Sequence, residues 1–219
     1  MKKLLITIDG PAGAGKTTVS RALADRLGYR YIDTGALYRG IALAAKNQGI
    51  DPQNDDDLKR LCAGLDLNFV KQDKGLGLLL NGEDISDRIR TPEITMMASA
   101  VSARPVVREF LLGLQKDLGR EKAAVFEGRD MGTVVFPDAD LKFFLDASTR
   151  TRASRRYGEQ KSQNSQTLDE VERDIQRRDH NDSTRDLAPL KPATDAIVID
   201  STEMKVDEVV DFMASHVGK

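Results

Sequence analysis

The stretch Leu4-Leu5-Ile6-Thr7-Ile8-Asp9-Gly10-Pro11-Ala12-Gly13-Ala14-Gly15-Lys16-Thr17-Thr18 decides the fold. Residues 4–8 form a compact apolar run bounded by Asp-Gly-Pro, the pattern of a strand buried on both faces. Downstream, Val19, Ala22, Leu23 and Leu27 fall on one helical face, and Gly28 can end that helix. Between strand and helix lies Gly-x-x-x-x-Gly-Lys-Thr, a phosphate-binding loop in the context that the pattern needs. Gly10, Pro11, Ala12, Gly13, Ala14 and Gly15 would wrap backbone amides around the phosphates. Lys16 would reach the β and γ oxygens, the Thr17 hydroxyl would ligate Mg2+, and the helix N-terminus adds partial positive charge. A turn that only reversed the chain would not need all these positions filled, so the stretch reads as a nucleoside triphosphate site.

Apolar runs of strand length recur at residues 29–33, 123–126, 141–145 and 196–199. Helical patterns separate them, the last being Val206, Val209, Val210, Met213 and Val217. Strands that alternate with helices pair in parallel through right-handed crossovers, which predicts a three-layer α/β sandwich of five strands. The middle of the chain breaks this rhythm. After a helix marked by Leu58, Leu61, Cys62 and Leu65 come extended segments at 67–70 and 78–85. The second contains Asn81-Gly82, a strong type I′ hairpin signal, so a small antiparallel sheet is inserted. Thr91-Pro92 opens a helix with threonine as N-cap, and Pro105 opens another that Gly119 can stop. The insert is placed at residues 63–103.

The chain has 219 residues, of which 40% are hydrophobic and 31% charged, with a net charge of -2 at pH 7. That length buries one good core with a small appendage. The near-neutral balance argues against attachment to nucleic acid or an anionic membrane through bulk charge. A single cysteine, Cys62, excludes an intramolecular disulfide, and Asp9 interrupts the opening apolar run before a signal-peptide core or spanning helix forms. A cytoplasmic protein is expected.

Cations outside the loop narrow the chemistry. The sequence carries neither the Asn-Lys-x-Asp string of a guanine-reading GTPase nor the Leu-Ser-Gly-Gly-Gln of a transporter ATPase. Instead, Arg152, Arg155 and Arg156 crowd one helical face just after a strand that ends at Asp146. Like charges at that spacing repel by roughly 0.2–0.5 kcal/mol per pair unless an anion sits among them, the competing reading being a solvated basic face served by carboxylates such as Glu159. A second group, Arg173, Arg177, Arg178 and Arg185, follows the polar segment 157–168 and the capping-box pattern Thr167-Leu168-Asp169-Glu170. Two arginine groups that bracket a segment with little to bury read as a lid closing over triphosphate. By their position after the strand, Arg152 and Arg156 are assigned to ATP and Arg155 to the transferring group. His180 reads as a polar bystander and His216 as a surface or packing residue.

The string Glu127-Gly128-Arg129-Asp130-Met131-Gly132-Thr133-Val134-Val135-Phe136-Pro137 is specific enough to carry a resemblance: the chain is similar to bacterial cytidylate (CMP) kinases, which are nucleoside monophosphate kinases. The likeness extends to the phosphate loop, Ile32-Asp33-Thr34-Gly35-Ala36-Leu37-Tyr38-Arg39, the insert, Val107-Arg108-Glu109, and Arg178-Asp179-His180-Asn181-Asp182-Ser183-Thr184-Arg185 leading to Ala188-Pro189-Leu190. It implies a P-loop three-layer sandwich with a parallel five-stranded core sheet in the order 2-3-1-4-5. The core would comprise residues 1–62, 104–150 and 186–219, with a CMP-binding insert at 63–103 and a helical lid at 151–185. The implied activity is transfer of the γ-phosphoryl group of MgATP to CMP, or dCMP, giving ADP and CDP or dCDP. A monomer with small-molecule substrates, and with neither nucleic acid nor membrane as partner, is expected.

Roles follow from the same resemblance. Arg39, Arg129 and Arg185 would hold the acceptor phosphate, a task that suits the paired bonds of a guanidinium fork. Ser99, Arg108 and Asp130 would read cytosine, whose exocyclic amine needs an acceptor such as Asp130. Uracil presents a carbonyl there instead, so CMP is favoured over UMP. Arg178 and Asp182 would take the ribose hydroxyls, with Thr34 and Tyr38 lining the pocket; Lys16, Arg129 and Arg185 would be catalytic, together with Arg155, which is assigned by its position after the strand and not by the resemblance. The loop ends Lys16-Thr17-Thr18 where many relatives have Lys-Gly-Thr, so both Thr17 and Thr18 stay open as the metal hydroxyl. Asp33 is expected to orient metal-bound water. The acceptor phosphate, with a second pKa near ~6, is already anionic at neutral pH, so no general base is needed.

Overall fold

The computed structural model describes residues 2–72, 75–160 and 166–218. The chain runs β1 (Leu5–Asp9), α1 (Lys16–Leu27), β2 (Arg30–Asp33), α2 (Thr34–Asn47), α3 (Asp55–Ala63), β3 (Leu67–Gln72), β4 (Gly75–Leu80) and β5 (Glu83–Asp84). It continues through α4 (Pro92–Ser102), α5 (Pro105–Gly119), β6 (Ala124–Gly128), β7 (Leu141–Asp146), α6 (Thr149–Gln160), α7 (Leu168–Thr184), β8 (Ile197–Asp200) and α8 (Val206–Ala214). A short π-helical turn, Met131–Val135, follows β6. No helix among the described residues is long and apolar enough to cross a membrane. The chain divides into two compact units, one of Met1–Tyr31 with Glu121–Lys219 and one of Ile32–Arg120.

The first unit is built on a five-stranded parallel sheet in the order β2-β6-β1-β7-β8, the expected 2-3-1-4-5 when core strands alone are counted. β1 takes the centre because all five of its residues are buried. It pairs in parallel with β6, Leu5 opposite Ala124 through Asp9 opposite Gly128, and with β7, Ile6 opposite Leu141. Ile6, Ile8, Val125, Phe143 and Leu145 pack with Val19 and Leu23 of α1 and with Val209, Val210 and Met213 of α8. Gly28 ends α1 in the left-handed conformation, as its position predicts. Val217, counted in the last helical stripe, falls beyond α8 and joins the core from the following turn.

In the same unit α6 and α7 pack through Ala153, Val171 and Ile175, with Tyr157 and Leu168 against them. The segment 157–168, read as having almost nothing to bury, therefore contributes an apolar side chain at each end, because α6 extends to Gln160 and α7 starts at Leu168. Its middle, residues 161–165, lies outside the described residues. The capping box that opens α7 is formed: Thr167 Oγ1 accepts from Glu170 N–H, and the Glu170 carboxylate accepts from Thr167 N–H.

The second unit holds the inserted sheet, order β3-β4-β5. Asn81 (φ 51) and Gly82 (φ 84) join β4 to β5 with both central residues left-handed, the geometry of the type I′ turn that Asn-Gly predicts. The insert placed at 63–103 is embedded in a larger body because α2 is apolar on most of its surface. Leu37, Ile41, Ala42 and Ala45 of α2 share one cluster with Leu67, Leu78, Ile85, Ile94, Ala98 and Val101. The helix expected to include Leu65 stops at Ala63, where the Gly64 and Leu65 N–H groups close onto the Leu61 and Cys62 carbonyls; Leu65 packs on the cluster from outside the helix. Cys62 is buried, and burial pushes its thiol up to about 11, which keeps it an unreactive core residue.

Candidate active site

In the first unit the chain leaves β1 at Asp9 and enters α1 at Lys16, so the loop between them lies at the carboxyl end of the central strand. Gly10 (φ 150) passes so close to β7 that a Cβ there would meet Leu145 O at 2.0 Å, and one at Gly13 (φ 76) would meet Arg152 O at 2.8 Å. Only glycine follows this path. The Lys16 ammonium is 4% exposed and donates to the Pro11 carbonyl at 2.6 Å, folded across its own loop. Burial, with Arg129 and Arg178 nearby and only partly offset by Glu127 and Asp9, pushes it down to about 7.

Thr17 Oγ1 donates to Glu127 Oε1 at 2.9 Å, and the Tyr31 hydroxyl donates to the other carboxylate oxygen. Thr18 is exposed. The sequence assigns Glu127 no role; it shows only an acid closing the apolar run of β6, and the pairing of β6 with β1 brings it to Thr17. Thr17 and Glu127 together supply hard oxygen donors of the kind that Mg2+ takes from proteins, one or two per site, so these residues fit the ion.

The α6 arginines that sequence position assigned to ATP are placed differently from one another. Arg152 is 5% exposed and donates to the carbonyls of Ala147 (2.8 Å) and Ala12 (3.0 Å), to Thr149 Oγ1 (3.1 Å) and to Asp179 of α7 (2.5 Å). Its charge therefore braces the loop backbone to α6 and α7. Arg155 reaches Ala14 O at 3.4 Å and bonds Ser201 O at 2.6 Å and Ser201 Oγ at 3.1 Å, so it stands at the rim of the loop. Arg156 is half-buried on α6. Arg173 and Arg177 are exposed and bond within α7, to Asp169 O and Asp174.

The end of β6 and the end of α7 form a charged knot in this unit. Arg129 Nε donates to Asp182 Oδ2 at 3.0 Å, Arg178 lies 3.9 Å from the same oxygen, and Arg185 Nη2 is 3.9 Å from Asp130 Oδ1. Burial alone would push the Asp182 carboxyl up, but Arg129, Arg178 and Arg185 outweigh it and hold it below the usual carboxylate range. Asp130 is 2% exposed. Arg129 and Asp130, adjacent in sequence, thus address different partners. His180 is exposed and its backbone carbonyl caps Ser183 and Thr184, while His216 stacks near Phe212 and Phe143.

The second unit carries the remaining predicted residues. Asp33 caps α2 by accepting from Ala36 N–H and takes Arg39 Nη2 at 2.8 Å, with Arg90 at 3.9 Å. Burial opposes ionisation of Asp33, yet Arg39 and Arg90 keep its carboxyl low. Arg90 was not singled out from the sequence. Thr34 and Tyr38 are buried on α2, and Arg108 of α5 lies over the Tyr38 ring at 5.9 Å and donates to Ser102 O. Ser99 is half-buried on α4, its carbonyl taken by Ser102 Oγ.

A parallel sheet with a glycine-rich loop at the end of its central strand, a buried lysine and a paired set of arginines defines a P-loop phosphotransferase. Solved structures agree on the fold: a shikimate kinase from Bacteroides thetaiotaomicron superposes with a TM-score of 0.51 at 14% identity, over 98% of each chain. The family model for cytidylate kinase matches residues 6–219. Relatives named cytidylate kinase include one from Geobacter sulfurreducens, 53% identical over 98% of this chain and 92% of its own, and one from Syntrophotalea carbinolica, 48% identical over 100% and 93%. The chain belongs to the cytidylate kinase family.

Proposed function

We infer that the protein transfers the γ-phosphoryl group of MgATP to CMP, and to dCMP, releasing ADP and CDP or dCDP. The observation that carries this reading is the pair of adjacent residues beyond β6: a buried carboxylate, Asp130, next to a guanidinium, Arg129, that points elsewhere. Cytidine monophosphate suits that division, because its exocyclic amine takes an acceptor and its phosphate takes a cation.

Lys16 and the loop amides hold the β and γ phosphates, and Arg155 lies at the loop rim within reach of the transferring group. Thr17 and Glu127 would hold Mg2+, with Tyr31 fixing the second carboxylate oxygen, and the ion would there supply neutralisation of charge on the phosphoryl oxygens. Arg39, Arg129 and Arg185 bind the acceptor phosphate, each now resting on a carboxylate or carbonyl that a dianion would compete with. Asp130 accepts from the cytosine amine, with Ser99 and Arg108 as its partners in base reading. Arg178 and Asp182 take the ribose, and Thr34 and Tyr38 line the pocket. No residue need remove a proton; catalysis rests on positioning and on charge fixed before the reaction starts.

The direct test is Arg129→Ala. Loss of one charge-assisted phosphate contact should lower CMP kcat/KM by about ten- to hundredfold, with little change in ATP affinity. Equal damage to ATP binding would move Arg129 out of the acceptor site.

A further inference from the structure

Asp9 ends β1 and immediately precedes the phosphate loop, but its carboxylate does not face the loop amides. Oδ1 accepts from the Met131 N–H at 2.9 Å and Oδ2 from the Gly132 N–H at 2.8 Å, both bonds buried and spanning more than a hundred residues of chain. These N–H groups open the π-helical turn Met131–Val135, and the residue before that turn, Asp130, provides no side-chain cap of its own. Helix ends leave such donors without partners, and buried ones must find an acceptor. Asp9 is that acceptor.

The turn it holds starts directly after Arg129 and Asp130. The Val134 and Val135 N–H groups bond back to the Asp130 carbonyl, at 2.9 and 3.2 Å, and Phe136 beyond the turn packs its ring on Phe126 of β6 at 4.6 Å. Gly132 lies tight against this cluster: a Cβ there would meet Thr7 Oγ1 at 3.0 Å, Lys142 Cδ at 3.2 Å and Asp9 Oδ2 at 3.4 Å, so a larger residue requires these side chains to give by a few tenths of an ångström. Lys142 in turn is fixed by Asp195 and the Pro137 carbonyl. Beyond the end of the β1–β6 pairing at Gly128, the backbone that follows Asp130 is thus pinned to the strand that carries the phosphate loop by one carboxylate, 4% exposed. Burial pushes Asp9 up to about 6, against the two N–H bonds that favour its ionised form.

We propose that Asp9 is a positioning residue for acceptor recognition: by capping the Met131–Val135 turn it fixes where Arg129 and Asp130 present their side chains to the monophosphate. This rests on the reading of Arg129 and Asp130 as phosphate and base contacts. An asparagine at position 9 can accept one of the two N–H groups and must turn its amide donor toward the other, so Asp9→Asn attacks the cap at nearly constant volume. Gly132→Ala attacks the same contact from the opposite side and leaves the phosphate loop untouched.

The experiment is calorimetric titration of each variant and the parent with CMP and, separately, with a non-hydrolysable MgATP analogue, alongside kcat and KM for CMP and UMP. Both variants should lose at least tenfold in CMP affinity, with a narrowed preference for CMP over UMP and with nucleotide triphosphate affinity changed by less than threefold. Equal loss for both ligands, or unchanged CMP binding in a variant that only melts earlier, would overturn the positioning role. If Asp9→Asn does not fold, Gly132→Ala decides alone; if neither folds, Asp9 serves stability and the proposal is wrong. A parent protein that fails to bind CMP would instead remove the reading on which the inference rests.

Discussion

Arg152→Ala separates a brace from a ligand. The guanidinium lies buried among two carbonyls, a hydroxyl and Asp179, whose Oδ1 has no hydrogen-bond partner among the described residues. Removing it leaves Asp179 without its cation and the Ala12 carbonyl without its donor. Breaking a buried pair from one side costs about 3–5 kcal/mol. The Asp179 side chain keeps 21% of its exposure, so water recovers part of that loss. A net destabilisation of about 2–3 kcal/mol follows after that discount. For a chain of this size each kcal/mol moves Tm by about 2–4 °C, so the variant should melt roughly 4–12 °C below the parent. The assay is thermal unfolding by circular dichroism, with MgATP affinity measured well below the transition. Arg152→Lys should recover only part of the loss, since an ammonium cannot reproduce the fork. An unchanged Tm together with a hundredfold or greater loss of MgATP affinity would refute the brace and return Arg152 to the triphosphate.

Asp130→Ala should shrink the ratio of CMP to UMP kcat/KM by about ten- to hundredfold, the worth of about 1–3 kcal/mol of polar complementarity, and an unchanged ratio would exclude base reading. Glu127→Gln should raise the Mg2+ concentration for half-maximal rate by about 10- to 100-fold while CMP KM holds, as a metal titration at saturating ATP would record. Asp182, whose folded carboxyl lies below its unfolded value, contributes stability that is present above the ordinary aspartate range and lost as pH falls through the folded value. Arg129→Ala removes the largest cationic contribution to that depression, so its acid unfolding midpoint should lie at higher pH than the parent's; coincident acid transitions would show that the pair adds nothing to stability.

Much of this molecule can be read from local chemistry. The glycine-rich loop, Asn81-Gly82, Thr91-Pro92 and Thr167 with Glu170 each act within a few residues, and each forms the turn, cap or loop that its sequence predicts. The extent of the second compact unit is not legible in the sequence, because α2 is apolar on so many sides that its pattern does not say which partner it covers. Site residues divide in the same way. Arg129 and Asp130 sit in a string distinctive enough to be picked out, and Arg178 and Asp182 in a second stretch that shares the likeness, whereas the spacing of Arg152 and Arg155 reveals a shared helical face without revealing that carbonyls already fill it. Asp9 and Glu127 act through partners more than a hundred residues away, a relation that only the parallel pairing of β1 with β6 creates.

Phosphoryl transfer in a cytidylate kinase depends on a cytidine monophosphate acceptor. The measurement that meets it most directly is coupled ADP release from MgATP with CMP, dCMP, UMP, AMP or no acceptor at matched concentrations. Turnover should require CMP or dCMP and fall steeply with UMP. ADP release indifferent to every acceptor would contradict the account and leave only a triphosphate-binding loop.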